Sequence, residues 1–224
     1  MTEVLFQRLP ELALAGALAW GAGIRLYLVV FLFGLAGRLG WWPLPDHLQV
    51  LQNPLVLGAA GFMATVELFA DKLPWLDSIW DALHTFIRIP AGAALAAAAF
   101  GDSGTAITVA AALLGGTLTA TTHFAKSGTR ALANTSPEPF SNLMLSVAED
   151  GAVVGGTWLA TQHPAVFLVL LALFLIAALL VVRLLLRGIR RLLRPRAGPP
   201  LEPHLEPHFA RDTGRPDPVH PRLE

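Results

Sequence analysis

Apolar residues run along this chain in stretches close to twenty long, separated by compact clusters of charge rather than alternating with polar positions. About 20 helical residues cross a hydrocarbon core about 30 Å thick. Six stretches approach that length: roughly 11–37, 54–72, 84–100, 105–125, 140–160 and 164–186. The pattern predicts an all-α polytopic transmembrane bundle of about six spans. The first stretch is unusually long, and Arg25 follows the small-residue run Gly21-Ala22-Gly23, so it reads as one tilted helix or as two half-helices broken near that run. Its apolar pattern continues past Arg25, unlike the short core of a signal peptide. The Gly, Ala and Thr content of 105–125 suits close helix packing, whereas 164–186 is Leu- and Val-rich all round and suits lipid.

Composition agrees. Of 224 residues, 54% are hydrophobic and 14% charged, against about 25% charged in soluble domains. There is no cysteine, which excludes disulfides, thiolate metal sites and cysteine nucleophiles. A formal net charge of zero argues against nucleic acid as a partner. With six spans and a cytoplasmic N-terminus, the inner segments would hold Arg8, Lys72, Arg88, Lys126, Arg130 and the cluster from Arg183 to Arg196, the outer ones only Arg38. By the positive-inside rule this predicts a multi-pass protein of the bacterial plasma membrane with both termini in the cytoplasm. The chain divides into a transmembrane domain, 1–190, and a tail, 191–224, rich in Pro and charge and expected to be disordered. His204 and His208 in "LEPHLEPH" read as solvated linker rather than a metal tract. Asn134 matches a glycosylation sequon that would be unused on the cytoplasmic side.

The charges fall into constellations. In "VELFADKLPWLDSIWDALHTFIR", Glu67 and Asp71 share a face at i, i+4, with Lys72 beside them. Asp77, Asp81, His84 and Arg88 form one helical stripe opposite Trp75, Ile79, Leu83 and Phe86. Pro74 suits a first turn, so 74–88 is predicted as an amphipathic helix at the cytoplasmic boundary leading into the third span. After the fourth span, His123, Lys126 and Arg130 make a basic stripe on the same membrane side, and Ser136-Pro137 suits the start of the next helix. Glu149 and Asp150 enter the fifth stretch with Ser146 one turn earlier, in "SVAED". A charge at mid-bilayer costs about 3 kcal/mol on insertion scales, so these groups must face one another or water. Charge pairs contribute little to stability alone, and intramembrane ionisable groups mark sites and pathways.

"AGIRLYL", "VELFADKLPWLDSIWDALHTFIRIPAGA", "THFAKSGTRALANTSPEPFSN" and "SVAED" together resemble the bacterial integral-membrane family known as domain of unknown function 4126, over roughly residues 10–185. The resemblance implies the membrane class and these polar positions and supplies no substrate.

The expected function is a small transporter or channel-like protein with a buried charged site. Glu67, Asp71, Asp77, Asp81, Glu149 and Asp150 could offer hard oxygen ligands to a divalent cation, with no other cofactor expected. Alternatively Arg25, Arg88, Lys126 and Arg130 could hold an anionic solute or lipid head group. Spans one to three and four to six are compatible with a 3+3 inverted repeat that pairs Arg25 with Arg130 and Glu67 with Glu149. An intramembrane enzyme acting on lipid phosphates is less favoured, since no lipid-phosphatase signature, Gly-rich phosphate loop or HExxH helix is present. A non-catalytic scaffold, anchored to anionic lipid by its Arg-rich end, is the third class, and a homo-oligomer is compatible with any of them.

Overall fold

In the computed structural model, the structure describes residues 2–133, 135 and 139–192. Asn134, the Ser136-Pro137 start signal, His204 and His208, and the tail from 193 lie outside the described residues. Six α-helices follow in order: α1 Thr2–Arg38, α2 Pro54–Ala70, α3 Pro74–Ala99, α4 Thr105–Ala133, α5 Pro139–Gln162 and α6 Pro164–Leu192. Short 3-10 turns, Asp46–Gln52 and Gly101–Ser103, precede α2 and α4. The described residues contain no strand, so the chain is an all-α bundle.

Of the two readings of the long first stretch, the broken one holds, with the break just past Gly21-Ala22-Gly23. Arg25 has φ −145° and ψ 75°, outside helical geometry, and the chain folds back there. In a straight helix Pro10 and Phe33 would stand about 35 Å apart. Instead both line one cavity of about 450 Å³, together with Trp41, Trp42 and Gln162. At the turn the arms, 2–24 and 26–38, press together: a Cβ on Gly21 would come within 2.7 Å of Val29 Cγ2. Gly21 thus permits the close approach that the fold-back needs. The first arm packs on α4, where a Cβ on Gly23 would meet the Thr119 carbonyl oxygen and Thr122 Cβ, each at 2.7 Å. The second arm runs beside α2, with Phe31 over Gly61.

The fold-back changes the topology. Arg8 Nη1 donates to Ser103 Oγ at 2.7 Å, and His47 meets Asp102 at 3.2 Å, so the start of α1 lies at the same end of the bundle as the turns before α2 and α4. The far end of α6 lies at the other. The two described ends of the chain therefore lie at opposite ends of the bundle. Arg25 sits at a break while Arg130 lies inside a continuous helix, so the two are not equivalent positions of a 3+3 repeat.

Among the described residues, four segments are long and apolar enough to cross a membrane, by length and composition: Arg8–Arg38, Ile79–Ala99, Thr105–Ala133 and Pro164–Gly188. The pair Asp46–Gln52 and Pro54–Ala70, bent by 66°, would make a fifth. α5, which carries Glu149 and Asp150, does not qualify.

The amphipathic segment 74–88 leads directly into the third apolar stretch: α3 is continuous from Pro74, which occupies the first turn, to Ala99. Its polarity is inside-out: Asp77, Asp81, His84 and Arg88 are buried, while Ile79, Leu83 and Phe86 are exposed. An apolar face turned outward in this way suits contact with lipid. α6 does the same with Val169, Leu173, Ile176 and Leu180 outward. The interior near the start of α1 is conventional, with Trp20 meeting Phe167 and Phe174 edge-on at 6.2 and 5.9 Å.

Candidate functional site

Four helices and the break in α1 bring the charged constellations to one place. Helical spacing does most of the positioning. Glu67 and Asp71 lie one turn apart at the end of α2, the stripe of α3 faces inward below them, and His123, Lys126 and Arg130 descend the facing side of α4. Ser146 and Glu149 share the inward face of α5, with Asp150 at its edge. Arg25, Glu67, Asp71, Asp77, Arg88, His123 and Arg130 are each no more than 1% exposed.

Arg130 is the most connected cation. Its Nε and Nη2 donate to the two Glu149 carboxylate oxygens at 3.0 and 2.7 Å. The same fork reaches Asp71 Oδ2 at 3.1 Å, Asp77 Oδ1 at 3.2 Å and the Asp71 carbonyl at 3.1 Å. A planar guanidinium can hold such a set because its donors are fixed in a fork. Arg25 binds Asp71 Oδ2 at 2.6 Å and Asp150 Oδ1 at 2.9 Å, and donates to Ser146 Oγ at 2.8 Å. Arg88 pairs with Glu67 and, at 3.2 Å, with Asp81. Lys126 lies 3.5 Å from Asp71 and from Glu149, and 3.8 Å from Asp81.

The break in α1 contributes backbone as well. Leaving helical geometry at Arg25 presents the Ile24 carbonyl inward, where it accepts from Lys126 Nζ at 3.0 Å and Arg88 at 3.4 Å. Irregular backbone at membrane depth is tolerated where protein satisfies it in this way.

Of the residues expected to form the site, Lys72 alone stands apart. It is exposed and its ammonium lies 5.0 Å from the Phe69 ring centroid, because the helix end turns it away from the face shared by Glu67 and Asp71. His84 is at the margin, stacked on Trp80 with its Nδ1 donating to the Trp80 carbonyl at 2.9 Å. Thr85 and Ser127 join the network unforeseen: Ser127 donates to Asp81 Oδ2 at 3.1 Å, and Thr85 Oγ1 stands 2.7 Å from His123 Nε2. Since the Thr85 hydroxyl proton goes to the Asp81 carbonyl, His123 Nε2 is the donor in that pair, and its Nδ1 accepts from Arg88 at 3.4 Å. Both residues carried a legible signal, each lying four positions after a member of a charged stripe.

Removing Lys72 changes the charge count. Six carboxylates (Glu67, Asp71, Asp77, Asp81, Glu149, Asp150) face four cations (Arg25, Arg88, Lys126, Arg130), and six minus four leaves two formal negative charges. Each cation is held by at least two carboxylates, so none presents an unclaimed charge to an anion. Among the described residues, no group of three or more His, Asp or Glu side chains is arranged to hold a metal ion. Asp77 precedes the apolar span that begins at Ile79. Burial pushes its carboxyl up to about 7, against the pull of Arg130.

Three cavities reach the network from different sides. One of about 240 Å³ between α3 and α4 is lined by Asp77, Asp81, His123, Ser127 and Arg130. A second of about 350 Å³, bounded by α1, α2 and α5, ends on Arg25 and Asp150. A third of about 250 Å³, walled by α4, α5 and α6, touches Lys126 and Glu149.

The family described as a domain of unknown function (DUF4126) matches residues 12–184, which spans α1 to most of α6 and every residue of the network. The chain belongs to this family. No curated protein and no solved structure matches it. The apolar helices of this DUF4126 protein suggest a membrane protein, and its buried charges lie inside the matched region.

Proposed function

We propose that this DUF4126 protein is a small transporter whose network binds a cationic species, either protons or a metal cation. The observation that carries the proposal is the surplus of two carboxylates, enclosed among apolar helices at the tip of a folded-back helix and reached by three cavities. Uncompensated negative charge at such a depth is costly, and two protons, two monovalent cations or one divalent cation would relieve it. Discontinuous helices that end on charged sites near the membrane midplane are a recurring device of transporters. An anionic solute has less support, since every guanidinium and the ammonium is already claimed. The end bearing Lys72, Arg183, Arg187 and Arg190 is assigned to the cytoplasm of a bacterial plasma membrane, opposite Arg8 and Arg38, by the positive-inside rule.

One observation favours a structural role instead: the ion pairs interlock α1 to α5 and could serve only to fix the bundle. Thermal stability of detergent-purified protein, titrated with protons, monovalent and divalent cations and phosphate, separates the two. Under a transport role a cation or acid stabilises the wild type and loses that effect in Glu67→Gln/Glu149→Gln. If phosphate alone stabilises, or nothing distinguishes wild type from that variant, the cation-site proposal is wrong.

A further inference from the structure

The six carboxylates are not equally enclosed. The side chains of Asp150 and Glu149 are 30% and 14% exposed, against 5% or less for Glu67, Asp71, Asp77 and Asp81. Both Glu149 oxygens are held by Arg130. Asp150 is held at one oxygen only, Oδ1, and Arg25 is its single ion-pair partner among the described residues. Arg25 itself is fully engaged, with Nη1 on Asp71, Nη2 on Ser146 and Nε on Asp150. The group with bonding capacity to spare is therefore the carboxylate.

Asp150 stands at the end of the cavity of about 350 Å³ bounded by α1, α2 and α5. Its other walls are apolar or small: Leu28 and Phe31 from the second arm of α1, Gly61, Ala64 and Leu68 from α2, and Val154 from α5. The Thr65 hydroxyl donates to the Gly61 carbonyl at 2.8 Å and so adds no free donor. These residues come from within α2 and α5 rather than from an end of the bundle. Phe62 and Phe69 of α2 and Val147 and Trp158 of α5 are exposed on the neighbouring surface. The cavity is thus a lateral crevice, apolar along its walls and acidic at its end.

We propose that this crevice binds a lipophilic organic cation, an amine or onium ion with an apolar body, which enters from the lipid and pairs with Asp150. The site rests on the negative surplus behind the transport role and adds an organic ligand to the protons and metal cations considered there. The sign of the ligand follows from the surplus of two carboxylates, since an anion would meet Asp150 before a guanidinium already claimed. Its apolar body follows from the walls: a hydrated inorganic ion would lose water there to groups that cannot replace it. A cation whose charge is carried by an apolar body loses much less, and Phe31 offers a ring for cation–π attraction. The volume lies within the range of small-molecule sites, about 300–1,000 Å³. When the ligand takes the Asp150 oxygen that Arg25 leaves free, Arg25 keeps Asp71 and Ser146, so the network stays assembled.

The test is equilibrium dialysis of the full chain in detergent against radiolabelled tetraphenylphosphonium, with empty micelles subtracted. Saturable binding is expected. Tetraphenylborate, with the same shape and the opposite charge, should not compete, and tetramethylammonium, which lacks the apolar body, should compete weakly. Asp150→Asn should lower affinity by about tenfold or more, as when one partner of a desolvated charge pair is removed. Ala64→Phe, which fills the crevice and leaves every ion pair in place, should also abolish binding. Ala177→Phe, which fills the cavity beside Lys126 and Glu149, should bind as wild type does. Ala64→Cys gives a second reading in a chain without other cysteines: tetraphenylphosphonium, and not tetraphenylborate, should slow its reaction with a permeant maleimide. Equal competition by tetraphenylborate, unchanged affinity in Asp150→Asn, or loss in Ala177→Phe with none in Ala64→Phe overturns the site. If Asp150→Asn or Ala64→Phe does not fold, the maleimide reading decides, and a rate indifferent to tetraphenylphosphonium refutes the site. Proton or metal-cation flux without saturable binding overturns the site and leaves the transport role. Binding as described in protein that passes neither supports the site and overturns that role alone.

Discussion

Removing Arg130 is the sharpest perturbation of the network. Its guanidinium makes five contacts, with Glu149, Asp71 and Asp77, and it is 1% exposed. In Arg130→Gln the surplus rises from two carboxylates to three, with Glu149 and Asp77 losing their closest cation. Breaking a buried pair by deleting one partner costs about 3–5 kcal/mol. The folded-to-unfolded ratio then drops by about 10² to 10⁴, a large part of the 5–15 kcal/mol that holds a typical domain. Arg130→Lys keeps the charge but loses the fork, and its cost should be smaller. Arg130→Gln/Glu149→Gln removes a carboxylate with the cation and returns the surplus to two, so it should be more stable than Arg130→Gln alone. The expected coupling is about 0.5–3 kcal/mol. Reversible unfolding in mixed micelles, followed by circular dichroism, measures the wild type, these three variants and the Glu149→Gln single that completes the cycle. A loss below about 1 kcal/mol in Arg130→Gln, the scale of an exposed pair, would refute the reasoning, as would a double variant equal to the sum of its singles.

Three further outcomes follow from the geometry. Gly23→Val drives a side chain into the α4 backbone at Thr119 and should lower stability by about 1–3 kcal/mol through overpacking, read as a lower thermal midpoint; an unchanged midpoint would mean that the first arm of α1 does not lie on α4. The chain has no cysteine, so single cysteines report topology cleanly: Glu11→Cys and Asp102→Cys should react with an impermeant maleimide from the same side of the membrane and Lys72→Cys from the other, and labelling of Glu11→Cys and Lys72→Cys from one side would contradict the fold-back. Because the folded Asp77 carboxyl lies at about 7, above its ordinary value of 3.8, its proton stabilises the fold fully below about pH 4, and that contribution is lost as pH rises to about 7. Wild type should therefore lose more stability across this window than Asp77→Asn, and parallel pH profiles would count against a buried, titrating Asp77.

The sequence made the inward stripes legible because their period is that of a helix: Asp77, Asp81, His84 and Arg88, and His123, Lys126 and Arg130, lie on the faces that the spacing indicated. The apolar runs likewise announced the helices, since a lipid-facing helix must be apolar over its whole span. The fold-back at Arg25 was not legible. Apolar residues continue on both sides of it, and hydropathy records composition but not direction, so a hairpin and a long span look alike until Gly21 is seen against Val29. Lys72 was misassigned because adjacency to Asp71 in sequence places it about 100° away around the helix.

The central claim is that the buried charges serve a moving cation rather than only the bundle's stability. Ion and proton flux into liposomes containing purified wild type or Glu149→Gln, with equal amounts of folded protein verified by thermal midpoint in each, tests it directly. The expected result is flux from wild type under an imposed proton or cation gradient and its loss in Glu149→Gln while the protein remains folded. Wild type that passes neither protons nor cations, with Glu149→Gln altering only the thermal midpoint, would contradict it and leave the network a structural brace.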